Sequence, residues 1–160
     1  MKPLLIILMG SKSDLTHAQK ISTAAEPFGF EVVMRVASAH KTATHALELL
    51  KQYEADPRPK VYVTIAGRSN ALSGFTDGIV STPVIACPPA SDAFAGADIF
   101  SSLRMPSGIA PAVVLEPANA ALLAAKMIAI CDPLMRDTVK MYQLKNQNQI
   151  LADDQDIQHQ

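Results

Sequence analysis

The order of apolar and polar residues along the chain predicts strands that alternate with helices. The first apolar run, LLIILM at residues 4–9, is too short for a typical helix and too continuous for a half-exposed strand, so it indicates a strand buried on both faces. Further apolar runs predict strands at residues 31–37, 61–66, 83–86 and 112–115. Apolar residues at helical spacing predict helices over residues 15–28, 42–55, 117–131 and 133–151, and a short one from residue 71.

This alternation is typical of right-handed β–α–β units and of a doubly wound parallel sheet. We therefore expect one α/β domain of three layers, flavodoxin-like or Rossmann-like, over residues 1–152, with helices at its C-terminal end. The alanine-rich helix at 117–131 is apolar around nearly its whole circumference, which predicts burial within the chain or against another subunit. Residues 153–160 are polar, and we predict a frayed tail there.

The composition narrows the classes of protein that fit. Hydrophobic residues make up 49% of the 160 residues and charged residues only 18%, and this apolar surplus favours a buried parallel sheet in a homo-oligomer. The net charge of −1 gives no general attraction to nucleic acid or to an acidic membrane. No apolar run approaches the roughly 20 residues that span a bilayer, and only three residues precede the first strand. We expect a cytoplasmic protein with neither nucleic acid nor membrane as a partner.

The two cysteines are far apart in the chain. Cys87 and Cys131 both lie in apolar sequence, without a CxxC pair or neighbouring histidines. We predict that both are small core residues, and we expect neither a disulfide nor a metal site.

Small or polar residues follow the first three predicted strands, at the edge where doubly wound sheets bind ligands. In the first of these turns, Ser11, Ser13 and Asp14 precede a helix. Backbone N–H groups and the positive end of the helix dipole favour an anion there, so a phosphorylated ligand is the first hypothesis. The alternative is that Ser13 or Asp14 only caps the helix.

His40 is the strongest catalytic candidate because it directly follows the second strand, between Ser38 and Lys41. An imidazole titrates near neutral pH and can take and return a proton during turnover, although a lone histidine is often structural. Lys41 offers a positive charge to a phosphate, or is simply a solvated residue in the first turn of a helix. The other histidines, His17, His45 and His159, are predicted to face solvent.

Five short motifs occur in the chain: GSKSD at 10–14, SAHK at 38–41, AGRSN at 66–70, CPP at 87–89 and SSLRMPSG at 101–108. Together and in this order they resemble the phosphoribosylaminoimidazole carboxylase family of purine biosynthesis, over about residues 4–130. The resemblance implies an enzyme that acts on aminoimidazole ribonucleotide (AIR) without a cofactor, metal or ATP. It also implies a homo-oligomer, a tetramer or octamer of stacked dimers.

The resemblance also implies roles for particular residues. It places the phosphate of AIR near Ser13, Ser38 and Lys41, and the ribose hydroxyls near Ser11 and Asp14. This division is chemically reasonable, because a carboxylate accepts hydrogen bonds from hydroxyls but repels a phosphate. His40 would transfer the proton of the reacting ring carbon. CO2 or the new carboxylate would be held by Ser69 and by the backbone around Gly67 and Ala71.

The roles of two further segments and of one further residue are left undecided by the sequence. The loops at 90–96 and 101–108 shape the site in the family, partly across subunits, but either could be an ordinary connection. Arg68 could brace its own loop or face the ligand.

The family has two classes, and they differ in reaction. Mutases move a carboxylate from nitrogen to carbon on N5-carboxyaminoimidazole ribonucleotide, and typically have Ser-Ala-His-Arg and a second histidine in the third loop. Direct carboxylases use AIR and CO2. Here Lys41 follows His40 and the third loop has no histidine, so the chain is similar to the direct carboxylases, with the mutase as the alternative.

A non-enzymatic flavodoxin-like or receiver-like binding module is a further alternative. A receiver needs acidic residues after its first strand and an aspartate after its third, where this chain has Gly10-Ser11 and Ala66-Gly67. A flavin module would be expected to carry stacking aromatic residues, and only 5% of this chain is aromatic.

Overall fold

The computed structural model describes residues 1–158. Five strands form one parallel sheet: β1 (Leu4–Met9), β2 (Glu31–Val36), β3 (Lys60–Ile65), β4 (Val84–Ala86) and β5 (Ala112–Val113). Their order across the sheet is β2-β1-β3-β4-β5, so the chain crosses from one side of β1 to the other after β2. This is the predicted doubly wound arrangement, and the order reversal beside β1 is where such sheets form a ligand crevice.

Six α-helices connect or follow the strands: α1 (Leu15–Ala25), α2 (Ala43–Glu54), α3 (Ala71–Asp77), α4 (Phe100–Leu103), α5 (Pro117–Ile128) and α6 (Pro133–Gln158). Short 3-10 helices precede α1 (Lys12–Asp14), follow it (Glu26–Phe28) and precede α4 (Ala93–Ile99). The buried residues of α1, α5 and α6 pack on one face of the sheet, and those of α2 and α3 on the other. The three-layer α/β prediction is therefore confirmed.

The alternation of side chains along β1 divides the core in two. Leu5, Ile7 and Met9 pack beneath α1 and α5, whereas Leu4, Ile6 and Leu8 pack with residues of α2 and α3. All six side chains are at most 3% exposed, which explains why the first apolar run is uninterrupted. Because β1 is buried on both faces and paired on both edges, it fixes the position of the turn that follows it.

The predicted strands and helices agree with the structure to within a few residues, with two larger differences. The first is at Ala93–Ile99 and Phe100–Leu103, where a 3-10 helix and α4 stand in segments predicted as loops, and the second is at the C-terminus. Helix α6 continues to Gln158, whereas the prediction ended it near residue 151 and left a frayed tail. Residues 144–158 contain no proline or glycine, and Gln149 Nε2 donates to Asp153 Oδ1 at 2.8 Å, which supports the helical conformation.

The two cysteines differ in burial. Cys87 follows β4 and is fully buried, as predicted. Cys131 is exposed, so the prediction of a core residue was wrong: α5 ends at Ile128, and Cys131 lies in the turn beyond it. The alanine-rich α5 itself is buried against its own chain, mainly through the alanines at 120, 121, 124 and 125. Within residues 1–158, no helix has the length and apolarity needed to cross a membrane.

Candidate active site

A crevice of about 560 Å³ opens at the carboxyl edge of the sheet, where β1, β2 and β3 end. We call it the nucleotide crevice, after the ligand that the resemblance implies. The turns after these three strands supply nearly all of its wall, including Ser11, Ser13, Asp14, Ser38, His40, Lys41, Gly67 and Ser69. The structure thus brings together every predicted site residue except Ala71.

The turn after β1 is held by a reciprocal pair of hydrogen bonds. Ser13 N–H donates to Ser11 Oγ at 3.3 Å, and Ser11 N–H donates to Asp14 Oδ2 at 3.0 Å. Burial raises the pKa of the Asp14 carboxyl, while the Ser11 N–H and the nearby His17 oppose that rise. Ser11 therefore caps the 3-10 turn, with Asp14 completing the capping box, whereas neither Ser13 nor Asp14 caps α1 through its side chain as the alternative expected. All three residues line the crevice with oxygen atoms.

The turn after β2 presents His40 and Lys41. Ser38 Oγ accepts a hydrogen bond from Lys41 N–H at 3.2 Å, and Ser38 N–H donates to Thr42 Oγ1 at 3.0 Å. These two hydrogen bonds close the turn. The side chains of His40 and Lys41 lie at the crevice wall and are exposed. Within residues 1–158, neither side chain has a hydrogen-bond or ion-pair partner, which leaves both free to meet a ligand.

The loop after β3 forms the third wall, but not entirely as predicted. Gly67, Arg68 and Ser69 line the crevice, whereas Ala71 is the first residue of α3 and donates its N–H to Ser69 O at 2.8 Å. That N–H is therefore occupied, and Ala71 is not part of the wall. Arg68 is exposed and lines the crevice, so of its two predicted roles the one that faces a ligand fits better.

Asn70 has a role that sequence reasoning missed. Its side chain is 3% exposed and accepts the Ser73 N–H at the start of α3. Its Nδ2 donates to Ser102 Oγ at 2.8 Å, and its backbone N–H donates to Ser101 Oγ at 2.9 Å. The loop after β3 is thereby fixed to α4, so the serine pair of the SSLRMPSG segment positions this loop. An asparagine directly before a helical stretch was the available signal for the cap, but nothing in the sequence indicated its contact with α4.

Comparison with known proteins identifies the family. A model of the AIR carboxylase family matches residues 4–149. This chain belongs to the AIR carboxylase family. The phosphoribosylaminoimidazole carboxylase of Treponema denticola is 61% identical over 154 residues, which cover 96% of this chain and 97% of that protein. That of Archaeoglobus fulgidus is 53% identical over 152 residues, covering 95% and 83%.

A protein of known structure shares the fold of this chain as well as its sequence. A crystal structure of Treponema denticola PurE superposes with a TM-score of 0.95 at 60% identity, covering 97% of this chain and 98% of that one. The chain is therefore an enzyme of the AIR carboxylase family, within purine biosynthesis, and its flavodoxin-like α/β fold is that of PurE. The comparison includes every one of the five motifs that carried the resemblance, since all lie within residues 4–149.

Two motifs of the AIR carboxylase family lie beside a second cavity rather than the nucleotide crevice. This cavity has a volume of about 650 Å³ and shares Ala66, Gly67 and Arg68 with the crevice. Pro88 and Pro89 of the CPP motif and the Ser101-Ser102 pair line it. We call it the proline chamber. From sequence alone the segment at 101–108 was a candidate binding loop without a location, and CPP was only one of the motifs that carried the resemblance.

His17 corrects a prediction, because it does not face open solvent. It is half-buried on α1 and lines the proline chamber, with Nε2 3.4 Å from Cys87 Sγ. Burial lowers the pKa of His17, and burial raises the pKa of Cys87 to about 12, so both are neutral near pH 7. His45 is exposed, as predicted, and His159 lies outside the described residues.

Within residues 1–158 no group of three His, Cys, Asp or Glu side chains is placed to hold a metal ion. The polar side-chain groups that line the nucleotide crevice are instead hydroxyls, one carboxylate, one imidazole, one ammonium and one guanidinium. Such a set can bind a phosphorylated sugar and move a proton.

Proposed function

We propose that the chain carboxylates AIR directly with CO2, giving 4-carboxy-AIR, without a cofactor. One observation carries this choice over the mutase reaction: among the residues that line the nucleotide crevice, His40 is the only histidine, and Lys41 follows it. The third wall, which reads Ala-Gly-Arg-Ser from residue 66, offers small groups and an arginine where the mutases have another histidine.

The phosphate of AIR binds where the hydroxyls and the ammonium are concentrated. Ser13 and Ser38 lie on neighbouring turns, because β1 and β2 are paired in parallel with Met9 opposite Val36. Lys41 adds a positive charge that no carboxylate in the described chain neutralises. A phosphate dianion gains charge-assisted hydrogen bonds from such groups. The phosphate end of the substrate therefore lies between the first two turns.

The ribose hydroxyls bind at Asp14 and Ser11. One oxygen of the carboxylate, Oδ2, already accepts the Ser11 N–H, so Oδ1 is the acceptor that remains for a hydroxyl. Oδ1 points toward Gly67, since a Cβ built on that glycine would lie 3.9 Å from it. The sugar thus bridges the first and third turns and directs the aminoimidazole ring toward His40 and the Gly67 loop.

The chemical step forms one carbon–carbon bond and breaks one carbon–hydrogen bond. The ring carbon of AIR, made nucleophilic by the exocyclic amine, attacks the carbon of CO2, and one C–O electron pair moves onto oxygen to give a carboxylate. His40 accepts the proton from the tetrahedral ring carbon, and the electrons of that C–H bond restore aromaticity. Ser69 and the backbone at Gly67 donate hydrogen bonds to the new carboxylate.

We further propose a homo-oligomer, a tetramer or octamer, in which the segments at 90–96 and 101–108 meet another subunit. The support is a group of large apolar side chains that the described chain leaves exposed in this region: Phe94 at 83%, Phe100 at 67% and Leu103 at 55%. Large apolar side chains left exposed within one short region favour contact with another protein surface.

The test of the reaction is an ATP-free assay of purified protein with AIR, with and without added bicarbonate, that follows the absorbance of the carboxylated product. Rapid turnover that scales with dissolved CO2 is the expected result. No turnover with AIR, together with rapid conversion of N5-carboxyaminoimidazole ribonucleotide, would contradict the proposal and identify a mutase.

A further inference from the structure

The peptide unit between Ser69 and Asn70 is held at both of its polar atoms. Ser69 O accepts the Ala71 N–H at 2.8 Å, and the Asn70 N–H donates to Ser101 Oγ at 2.9 Å. The Ser101 hydroxyl in turn donates to Asp98 O at 2.7 Å. Asn70 has φ −75° and ψ 71°, which are close to the angles of an inverse γ-turn. The orientation of the peptide plane that directly follows Ser69 is therefore fixed.

The side chain of Asn70 joins two helices. Its Oδ1 accepts the Ser73 N–H of α3 at 3.3 Å, and its Nδ2 donates to Ser102 Oγ of α4 at 2.8 Å. Asn70 is 3% exposed and Ser102 is 2% exposed, so water does not compete for the bond between them. We call this bond the Asn70–Ser102 link.

The segment that carries Ser102 is itself fixed against α3. The Asp77 carboxylate of α3 accepts the Ala110 N–H at 2.7 Å. A Cβ built on Gly74 would lie only 3.1 Å from Met105 Sδ, so the segment packs against α3 more closely than a side chain at position 74 would allow. The Asn70–Ser102 link therefore ties the loop after β3 to a part of the fold that is held on both sides.

Ser69 depends on this support. It is exposed and lines the nucleotide crevice, and within residues 1–158 its own side chain has no hydrogen-bond partner. Asn70, the next residue, is buried and lines neither the crevice nor the proline chamber. The position of the Ser69 hydroxyl is thus set by the backbone that Asn70 holds.

We propose that Asn70, through its bonds to Ser101 and Ser102, is a positioning residue that holds Ser69 for the carboxylation step. This role rests on the proposed function, in which Ser69 donates a hydrogen bond to the new carboxylate. That bond forms only as CO2 becomes a carboxylate, so a displaced Ser69 slows the chemical step. The phosphate and the ribose hydroxyls of AIR bind at the first two turns, and binding of AIR therefore does not depend on Asn70.

The experiment breaks the Asn70–Ser102 link while the cap of α3 is kept. Ser102→Ala removes the acceptor of Asn70 Nδ2, and Asn70→Ser keeps a capping oxygen but has no amide to reach Ser102. Ser73→Ala is the matched control. Ser73 is 0% exposed and its hydroxyl has no hydrogen-bond partner within residues 1–158, so this variant removes a buried hydroxyl beside Asn70 without breaking the link.

Turnover at saturating AIR and a fixed concentration of dissolved CO2, the KM for AIR and the melting temperature are measured for each variant. Assays are run below the melting temperature of every variant. Turnover should fall about 10- to 100-fold in Ser102→Ala and in Asn70→Ser, with the KM for AIR close to that of the wild type. The double variant should be no slower than the slower single variant, because both changes break the same link. Ser73→Ala should match the wild type in turnover.

Two results would overturn the positioning role while direct carboxylation stands. One is wild-type turnover in both link variants, and the other is a KM for AIR that rises as much as turnover falls. If the wild type itself shows no CO2-dependent turnover of AIR, the positioning role and direct carboxylation are contradicted together.

Discussion

The two edges of the sheet differ in whether their charged side chains have partners within the chain. At the amino edge, Arg58 donates to Glu31 at 2.7 Å and to Asp56 at 2.8 Å, so its charge is paired twice. At the carboxyl edge, His40 and Lys41 line the nucleotide crevice without a partner among the described residues. Paired groups hold the fold together, whereas groups left unpaired beside a cavity are available to a ligand.

Glu54 is a second charged residue at the amino edge whose partners lie within the chain. Its carboxylate accepts hydrogen bonds from Thr82 Oγ1 at 2.8 Å, Tyr62 Oη at 3.2 Å and Ser81 N–H at 3.2 Å. Burial would raise the pKa of Glu54, but these three donors outweigh burial and hold the pKa below its usual value. The carboxylate is thus satisfied within the fold, and it ties α2 to the starts of β3 and β4.

The largest expected effect comes from removing the imidazole at the carboxyl edge. His40→Asn should lower the turnover of AIR by about 10² to 10⁴, because the proton of the ring carbon loses its acceptor. Binding of AIR, measured by calorimetry, and the melting temperature should stay close to wild type, since the described structure gives the side chain no structural partner. The matched control is His45→Asn, an exposed histidine on α2 that should retain full activity. Near-normal turnover in His40→Asn would remove His40 from the mechanism.

The second-largest expected effect is on the binding of the phosphate of AIR. Lys41→Met should raise the KM for AIR by about 10- to 100-fold, as expected when a charge-assisted hydrogen bond worth about 1.5–3 kcal/mol is lost. Lys51→Met, on the exposed side of α2, is the control for loss of one positive charge. If the two variants have the same KM, the phosphate does not bind at Lys41.

At the amino edge the expected effect is on stability and not on turnover. Arg58→Met should lower the melting temperature at neutral pH while kcat and KM stay unchanged. Hydrogen bonds from Arg58 lower the pKa of Asp56 from 3.8 to about 2, so this stabilisation is present above the usual pKa and is lost as the pH falls toward about 2. The melting temperatures of the variant and the wild type should therefore converge over that interval. A difference in melting temperature that persists when the pH is below about 2 would mean that Arg58 stabilises the fold through packing instead.

The smallest expected effect is a difference in reactivity between the thiols of Cys87 and Cys131. In the native protein an aromatic disulfide reagent at mildly alkaline pH should modify Cys131 quickly and Cys87 only after unfolding, because Cys87 is buried and its pKa is about 12. Cys131→Ser should leave no fast thiol. Two fast thiols in the wild type would show that the proline chamber opens to the reagent.

The fold was predictable because its signals are local and strong. The uninterrupted apolar run of β1 predicted a strand buried on both faces, and the polar residues after β1, β2 and β3 predicted which edge forms the crevice. Helix ends were less predictable. The polar residues of α6 near its C-terminus give no packing signal, yet nothing in that stretch interrupts a helix.

The site was predictable only in part, because its remaining contacts join residues distant in the chain. Asn70 meets Ser102, and His17 meets Cys87 across 70 positions. Neither pair has a sequence signature, since each partner alone is typical of a cap or a surface position. The occupied N–H of Ala71 likewise depends on the local turn geometry and not on residue type.

The most direct test of the account is a rapid-mixing experiment that supplies AIR and enzyme with either dissolved CO2 or an equal concentration of bicarbonate, before the two forms of carbon equilibrate. The account predicts that carboxylated product appears at once with CO2 and with a delay from bicarbonate, and that His40→Asn gives neither signal. Immediate product from bicarbonate, or none from AIR with either form of carbon, would contradict direct carboxylation in the nucleotide crevice.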